Sequence, residues 1–202
     1  MIIKVKAGQA HIIDELQRRF GDSHDVFVHN NRVAVQGIDE SDLNSEERAA
    51  ADEIIDNPPA AVQGSRLFHP EDTIVETAHS QIGGDNFTMM AGPCSVESAE
   101  HVMKMAAVAK EGGATVLRGG AFKPRTSPYS FQGLGEDGLK FLRAAADAYD
   151  LDVLTEVMDQ DHVDMIAQYT DIFQIGARNM QNFSLLKAVG KTNIPVMLKR
   201  GM

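Results

Sequence analysis

From residue 87 onward the chain alternates five short apolar segments with four stretches of helical character, and no other feature constrains its fold as tightly. The apolar segments cover residues 88–91, 115–117, 153–157, 172–175 and 195–198; the helical ones cover 98–111, 136–149, 160–168 and 182–189. Strands joined by connections of helix length run parallel, because a crossover must return the chain to the same end of the sheet. Two architectures satisfy the pattern, part of a (β/α)8 barrel or a small doubly wound sheet. The polar residues distinguish them. Cys94 follows the first strand, Arg118 to Thr126 the second, Glu156 lies at the third, Arg178 follows the fourth, and Lys199 and Arg200 stand at the fifth. In a barrel all these ends converge on one face, whereas an open sheet gathers its ligand at one switch point. Residues 87–202 are therefore expected to form a partial (β/α)8 TIM barrel of about five strands.

The first 68 residues follow another rhythm. Strand patterns at 2–6, 25–28, 32–36 and 61–67 frame helical patterns at 11–20 and 41–55. Asn30-Asn31 separates two alternating segments and reads as a hairpin turn, since Asn tolerates positive φ. Ser45, followed by Glu46 and Glu47, is expected to open the second helix with carboxylates near its positive end. The order is that of a small ferredoxin-like α+β domain, with another α+β topology as the alternative. Residues 69–86 are polar and show no clear period, so they are read as the connection between domains.

Charge follows the same division. Of a formal net charge of −10, residues 1–86 carry −9, with 16 acidic and 7 basic side chains, and residues 87–202 only −1. An acidic chain without a basic stripe is a poor nucleic-acid binder. Six bases of the second part fall at strand ends, so its positive charge is local and suits a small anionic ligand. No apolar run approaches the roughly 20 residues of a membrane span, and residues 1–6 alternate like a strand instead of a signal-peptide core. With one cysteine in 202 residues, which excludes an internal disulfide and suits a reducing compartment, the protein is expected to be cytoplasmic.

The richest segment is Leu117-Arg118-Gly119-Gly120-Ala121-Phe122-Lys123-Pro124-Arg125-Thr126-Ser127-Pro128. Three cations fall within eight residues, two glycines let the backbone approach a ligand, and two prolines stiffen the loop. Arginine adds a planar fork that matches phosphate or carboxylate oxygens in pairs. A solitary Lys or Arg is as easily a solvated surface base, but five at successive strand ends are not. Cys94 reads either as a small buried hydrophobe or as a soft metal ligand. Glu156 reads either as an ion-pair partner or as a polar group that orients water.

Four segments, Ala91-Gly92-Pro93-Cys94-Ser95-Val96-Glu97-Ser98, the Arg118–Ser127 run, Gly176-Ala177-Arg178-Asn179 and Met197-Leu198-Lys199-Arg200-Gly201, together resemble the 3-deoxy-7-phosphoheptulonate synthases. The Lys-Pro-Arg-Thr-Ser form separates them from the sister 3-deoxy-manno-octulosonate 8-phosphate synthases. The resemblance implies a transferase that condenses phosphoenolpyruvate with erythrose 4-phosphate in the first step of the shikimate route. It implies that Arg118, Lys123, Arg178 and Lys199 grip phosphoenolpyruvate, that Arg125 and Thr126 grip the aldose phosphate, and that Lys123 donates a proton or hydrogen bond to the developing alkoxide. Glu156 is expected to orient the attacking water.

The resemblance further implies a divalent metal cation (Mn, Fe, Zn or Co) with Cys94 as one ligand; its His, Glu and Asp ligands come from later strands and have no match here. An N-terminal ferredoxin-like domain senses an aromatic amino acid in some members, with an oligomerisation module as the plainer alternative. A homo-oligomer is expected, and the chain is expected to be a truncated polypeptide without synthase activity of its own. A non-catalytic, phosphate-binding descendant of the same family is the competing reading.

Overall fold

In the computed structural model, which describes residues 1–201, the alternating N-terminal segment forms strand β1, Ile2–Val5. It is followed by α1 (His11–Phe20), β2 (Val26–His29), β3 (Arg32–Val35), α2 (Ser45–Ala50) and β4 (Ala51–Ile55). These strands form an antiparallel sheet in the order β2-β3-β1-β4. Period-two alternation gives the sheet two different faces. Ile3, Val5, Val33 and Val35 pack with Ile12, Leu16 and Phe20, which recur every four residues along α1. Ile2 and Ala34 face the other way, against Val62 and Phe68.

Asn30 has φ 51°, and the pair His29 and Arg32 closes the hairpin around Asn30-Asn31 as expected. Helix α2 does open at Ser45 with Glu46 and Glu47 in its first turn, and Asn44 caps it: its side chain accepts from Glu47 N–H while the Glu47 carboxylate accepts from Asn44 N–H. Other boundaries differ from the sequence reading. The helix expected over 41–55 ends at Ala50, and residues 51–55 become β4 because the free edge of β1 pairs with them, Ile2 opposite Ile55. The strand expected at 61–67 is instead a 3-10 turn, Val62–Gly64, whose Val62 packs with Phe68 against Ile2 and Ala34 of the four-stranded sheet.

The chain divides into two compact units, Met1–Asp72 and Thr73–Met202. Within the second, the polar segment read as a connection carries a hairpin of β5 (Val75–Glu76) and β6 (Gln81–Ile82). Strands and helices then alternate: β7 (Met90–Ala91), α3 (Ala99–Glu111), β8 (Val116–Arg118), α4 (Glu136–Ala148), β9 (Asp152–Glu156), α5 (Val163–Ile166), β10 (Ile172–Ile175), α6 (Phe183–Val189) and β11 (Val196–Leu198). The five later strands form one parallel sheet in the order β11-β10-β9-β8-β7. The unit is thus α/β, with parallel strands joined by helical crossovers and each strand beside the next in sequence.

Side-chain spacing seats the helices. Leu139, Leu142, Ala145 and Ala146 form the buried face of α4; full burial of each leucine is worth roughly 1.5–3 kcal/mol. Asp152, wholly buried at the start of β9, accepts hydrogen bonds from Thr77 Oγ1 (2.5 Å) and His79 N–H (3.2 Å). Ser80 Oγ donates to Thr115 Oγ1 at 2.9 Å, just before β8. The hairpin therefore closes the N-terminal end of the sheet and leaves the C-terminal end open for chemistry. Among the described residues, no helix is long and apolar enough to cross a membrane.

Candidate functional site

The loop after β8 is rooted by main-chain hydrogen bonds before any cation leaves it. Gly119 N–H donates to the Leu154 carbonyl (3.1 Å), Thr155 Oγ1 donates to the Gly119 carbonyl (2.7 Å), and Val96 N–H donates to the Gly120 carbonyl (3.0 Å). The loop after β7 comes so close that a Cβ on Gly92 would lie 2.1 Å from the Arg118 carbonyl oxygen, at a φ of +148°. Glycine is the residue that permits this approach. Further out, Lys123 N–H donates to the Gln132 carbonyl (2.8 Å), and Phe122 bridges Gly133.

At the strand ends, Arg118, Glu156, Gln174, Gly176, Ala177, Arg178 and Lys199 line a cavity of ≈ 310 Å³. Arg118 Nε donates to Gln174 Oε1 (3.2 Å), and its Nη1 donates to the carbonyls of Pro93 (3.4 Å) and Cys94 (3.2 Å). Gln174 Nε2 donates to Glu156 Oε2 at 3.2 Å. A buried amide thus holds a guanidinium on one side and a carboxylate on the other. Gly176 leaves room for Glu156, since a Cβ there would lie 2.2 Å from Glu156 Oε1. Arg178 follows on the 3-10 turn Ala177–Asn179, and Lys199 N–H donates to the Ile175 carbonyl; both side chains are exposed.

Beside the cavity, buried Lys123 points its ammonium at Cys94, with Nζ 2.8 Å from the carbonyl oxygen and 3.3 Å from Sγ. The Lys123 hydrogen bond and charge, with help from Arg118, hold the Cys94 thiol below its ordinary pKa despite some desolvation. Cys94 itself is exposed, so the reading of it as a small buried hydrophobe does not hold. Arg125 and Thr126 are also exposed; Arg125 Nε donates to the Phe131 carbonyl at 3.3 Å and neither residue lines the cavity.

The structure therefore gathers Arg118, Glu156, Arg178 and Lys199 around one space, sets Lys123 and Cys94 next to it, and leaves Arg125 and Thr126 on the outer loop. Gln174 was missed in the sequence. Its signal was a lone polar side chain in the otherwise apolar strand Ile-Phe-Gln-Ile, where a 3% exposed amide needs partners. Three cations against one carboxylate suit a ligand with at least two anionic groups.

Residues 71–202 match the DAHP synthetase I family. A phospho-2-dehydro-3-deoxyheptonate aldolase of Thermotoga maritima is 58% identical over 137 residues, which is 68% of this chain and 40% of that protein. A 2-dehydro-3-deoxyphosphooctonate aldolase of Pisum sativum is 34% identical over 124 residues, 58% of this chain and 43% of that protein. The chain thus spans less than half the length of these curated relatives. Among solved structures, the crystal structure of the phospho-2-dehydro-3-deoxyheptonate aldolase (DAHP synthase) of T. maritima superposes with a TM-score of 0.69 at 40% identity, covering 99% of this chain and 60% of that one.

Proposed function

Because the chain belongs to the DAHP synthetase I family, we propose that its strand-end cavity binds phosphoenolpyruvate as part of a 3-deoxy-7-phosphoheptulonate synthase site. The observation that carries this reading is the convergence of Arg118, Arg178 and Lys199 on one 310 Å³ space with Lys123 beside it. The parallel sheet is read as the first five strands of a (β/α)8 barrel, and the sheet order β2-β3-β1-β4 as a ferredoxin-like split βαβ domain.

In the proposed reaction, C3 of phosphoenolpyruvate attacks the aldehyde carbon of erythrose 4-phosphate, water adds at C2, and phosphate leaves by C–O cleavage. Arg118, fixed by Gln174 and two carbonyls, keeps its Nη2 hydrogens for an anionic group of phosphoenolpyruvate, and Arg178 and Lys199 neutralise the other. Holding the cations in place beforehand lowers the ordering cost of binding. Lys123 donates to the alkoxide that develops from the aldehyde oxygen. Glu156, oriented by Gln174, accepts a hydrogen bond from the water approaching C2. Arg125 and Thr126 grip the phosphate of the aldose.

Cys94 fits one position of a divalent metal (Mn, Fe, Zn or Co), since its exposed thiol is held toward the thiolate form. Among the described residues no His, Asp, Glu or second Cys joins it in a ligand cluster, so none of the steps above runs through an ion. A bound ion would polarise the aldehyde oxygen. An aromatic amino acid sensed by the first unit, a homo-oligomeric assembly and a cytoplasmic setting complete the reading.

The test is a kinetic split in a catalytically active polypeptide that carries these residues. Arg125→Ala should raise KM for erythrose 4-phosphate far more than for phosphoenolpyruvate, and Lys123→Met should lower kcat more than it weakens phosphoenolpyruvate binding. Equal rises in both KM values would remove Arg125 from the aldose grip, and turnover with arabinose 5-phosphate instead would favour the octulosonate reaction of the pea relative.

A further inference from the structure

The first unit holds a group of ligating side chains that the synthase chemistry leaves unused. β2 ends on His29, whose Nε2 lies 2.8 Å from Glu71 Oε2. The His69 ring stacks on that of His29, with centroids 3.9 Å apart and planes 28° apart. One ring nitrogen from each histidine and one Glu71 carboxylate oxygen all lie within 4.8 Å of one another. The three residues come from two segments about 40 positions apart, so the fold has brought them together.

Their surroundings restrain them. Asn30 Nδ2 donates to Glu71 Oε1 at 3.3 Å and so orients the carboxylate. Arg66 Nη1 donates to the Pro70 carbonyl at 2.9 Å and Nη2 pairs with Asp72, which ties down the segment between His69 and Glu71 from both sides. His69 Nδ1 lies 2.9 Å from the Glu71 main-chain carbonyl, which can only accept. Nδ1 also lies 3.8 Å from Glu71 Oε2; with Nδ1 donating to the carbonyl, Nε2 keeps its lone pair, and a turn of the ring presents either nitrogen to an ion.

We propose that His29, His69 and Glu71 form a site for a borderline divalent transition-metal ion such as Zn²⁺, distinct from any ion at Cys94. Bonds of about 2.0–2.2 Å in a tetrahedral sphere require donors roughly 3.3–3.6 Å apart. Modest rotation of these partly exposed side chains would widen the 2.8 Å His29–Glu71 pair and draw the His69 donor in from within 4.8 Å. Two imidazoles and one carboxylate select Zn²⁺, Co²⁺, Ni²⁺ or Cu²⁺ over Mg²⁺ and Ca²⁺, which prefer oxygen alone. The ion takes the place of the proton between His29 Nε2 and Glu71 Oε2, so binding releases protons. It also ties the β2–β3 hairpin to residues 69–71. Nothing in this argument depends on the synthase reading.

The experiment is calorimetric titration of Zn²⁺, and separately Mg²⁺, into the metal-stripped 202-residue chain carrying Cys94→Ser, which removes the other candidate donor. One equivalent of Zn²⁺ should bind, Mg²⁺ should not, and His69→Gln and Glu71→Gln should each weaken Zn²⁺ binding by about tenfold or more. Both side chains are partly exposed, at 28% and 54%, so the variants should keep the parent circular dichroism spectrum, and either one alone decides the question. Absence of stoichiometric Zn²⁺ binding, or the same affinity in a folded variant as in its parent, would overturn the proposal.

Discussion

Lys123 holds Cys94 at two points: its Nζ donates to the Cys94 carbonyl at 2.8 Å and lies 3.3 Å from Cys94 Sγ. The ammonium favours the thiolate, so the thiol pKa in the folded protein is depressed relative to the unfolded chain. The resulting stabilisation is present above the unfolded thiol pKa and fades as pH falls through the lower folded value. Alkylation of Cys94 by iodoacetamide, followed against pH, should reach half its maximal rate below the ordinary thiol value. Lys123→Met should move that midpoint upward, and an unmoved midpoint would remove the ammonium as its cause.

Gln174 links Arg118 and Glu156 through hydrogen bonds of 3.2 Å each. Gln174→Leu keeps approximate volume but leaves Arg118 Nε and Glu156 Oε2 without this partner, so stability should fall by about 1–3 kcal/mol while phosphoenolpyruvate binding weakens several-fold. Urea unfolding and ligand titration on the same variant separate the two effects. A large loss of stability with unaltered binding would make Gln174 a structural residue only.

Gly92→Ala should be costly for a different reason. Its Cβ would meet the Arg118 carbonyl at 2.1 Å in a backbone conformation of φ +148°, so the Cys94 loop must move. Strain of this kind costs roughly 1–3 kcal/mol, measurable as a lower urea midpoint, and the Cys94 alkylation midpoint should rise toward the ordinary value as the thiol leaves Lys123. A variant with both midpoints unchanged would show that the loop is not held by this contact.

At the far end of the sheet, Asp152→Ala should destabilise the second unit by about 1–3 kcal/mol, because Thr77 Oγ1 and His79 N–H lose a buried acceptor. Thr77→Val in the same background should add less than it costs alone, since the Asp152 acceptor is gone and the 3.1 Å bond to the Ser80 carbonyl is what the hydroxyl has left. Denaturation of the single and double variants tests both statements, and full additivity would contradict the shared bond.

Parts of this molecule were legible in its sequence for identifiable reasons. The β/α alternation after residue 87 could be read because each crossover helix shows its own period, as with Leu139, Leu142 and Ala146 on α4. Strand ends could be read because charged residues interrupt apolar runs there, and the hairpin at Asn30-Asn31 because asparagine tolerates its backbone angles. The segment 41–55 was misread because Ala49, Ala50 and Ala51 suit a helix, while pairing with β1, which no local pattern records, turns residues 51–55 into a strand. Gln174 stayed hidden because its importance lies in two partners, Arg118 and Glu156, that arrive from other strands.

The central claim, that the strand-end cavity is a phosphoenolpyruvate site, is tested most directly by calorimetric titration of phosphoenolpyruvate into the 202-residue chain and into Arg178→Ala, at low and at high salt. Arg178 is exposed at the cavity rim, so its removal should leave the fold intact. The account predicts binding that weakens as salt rises, because the contacts are ionic, and a loss of about tenfold or more in the variant. Equal affinity in the two proteins, or binding indifferent to salt, would contradict it.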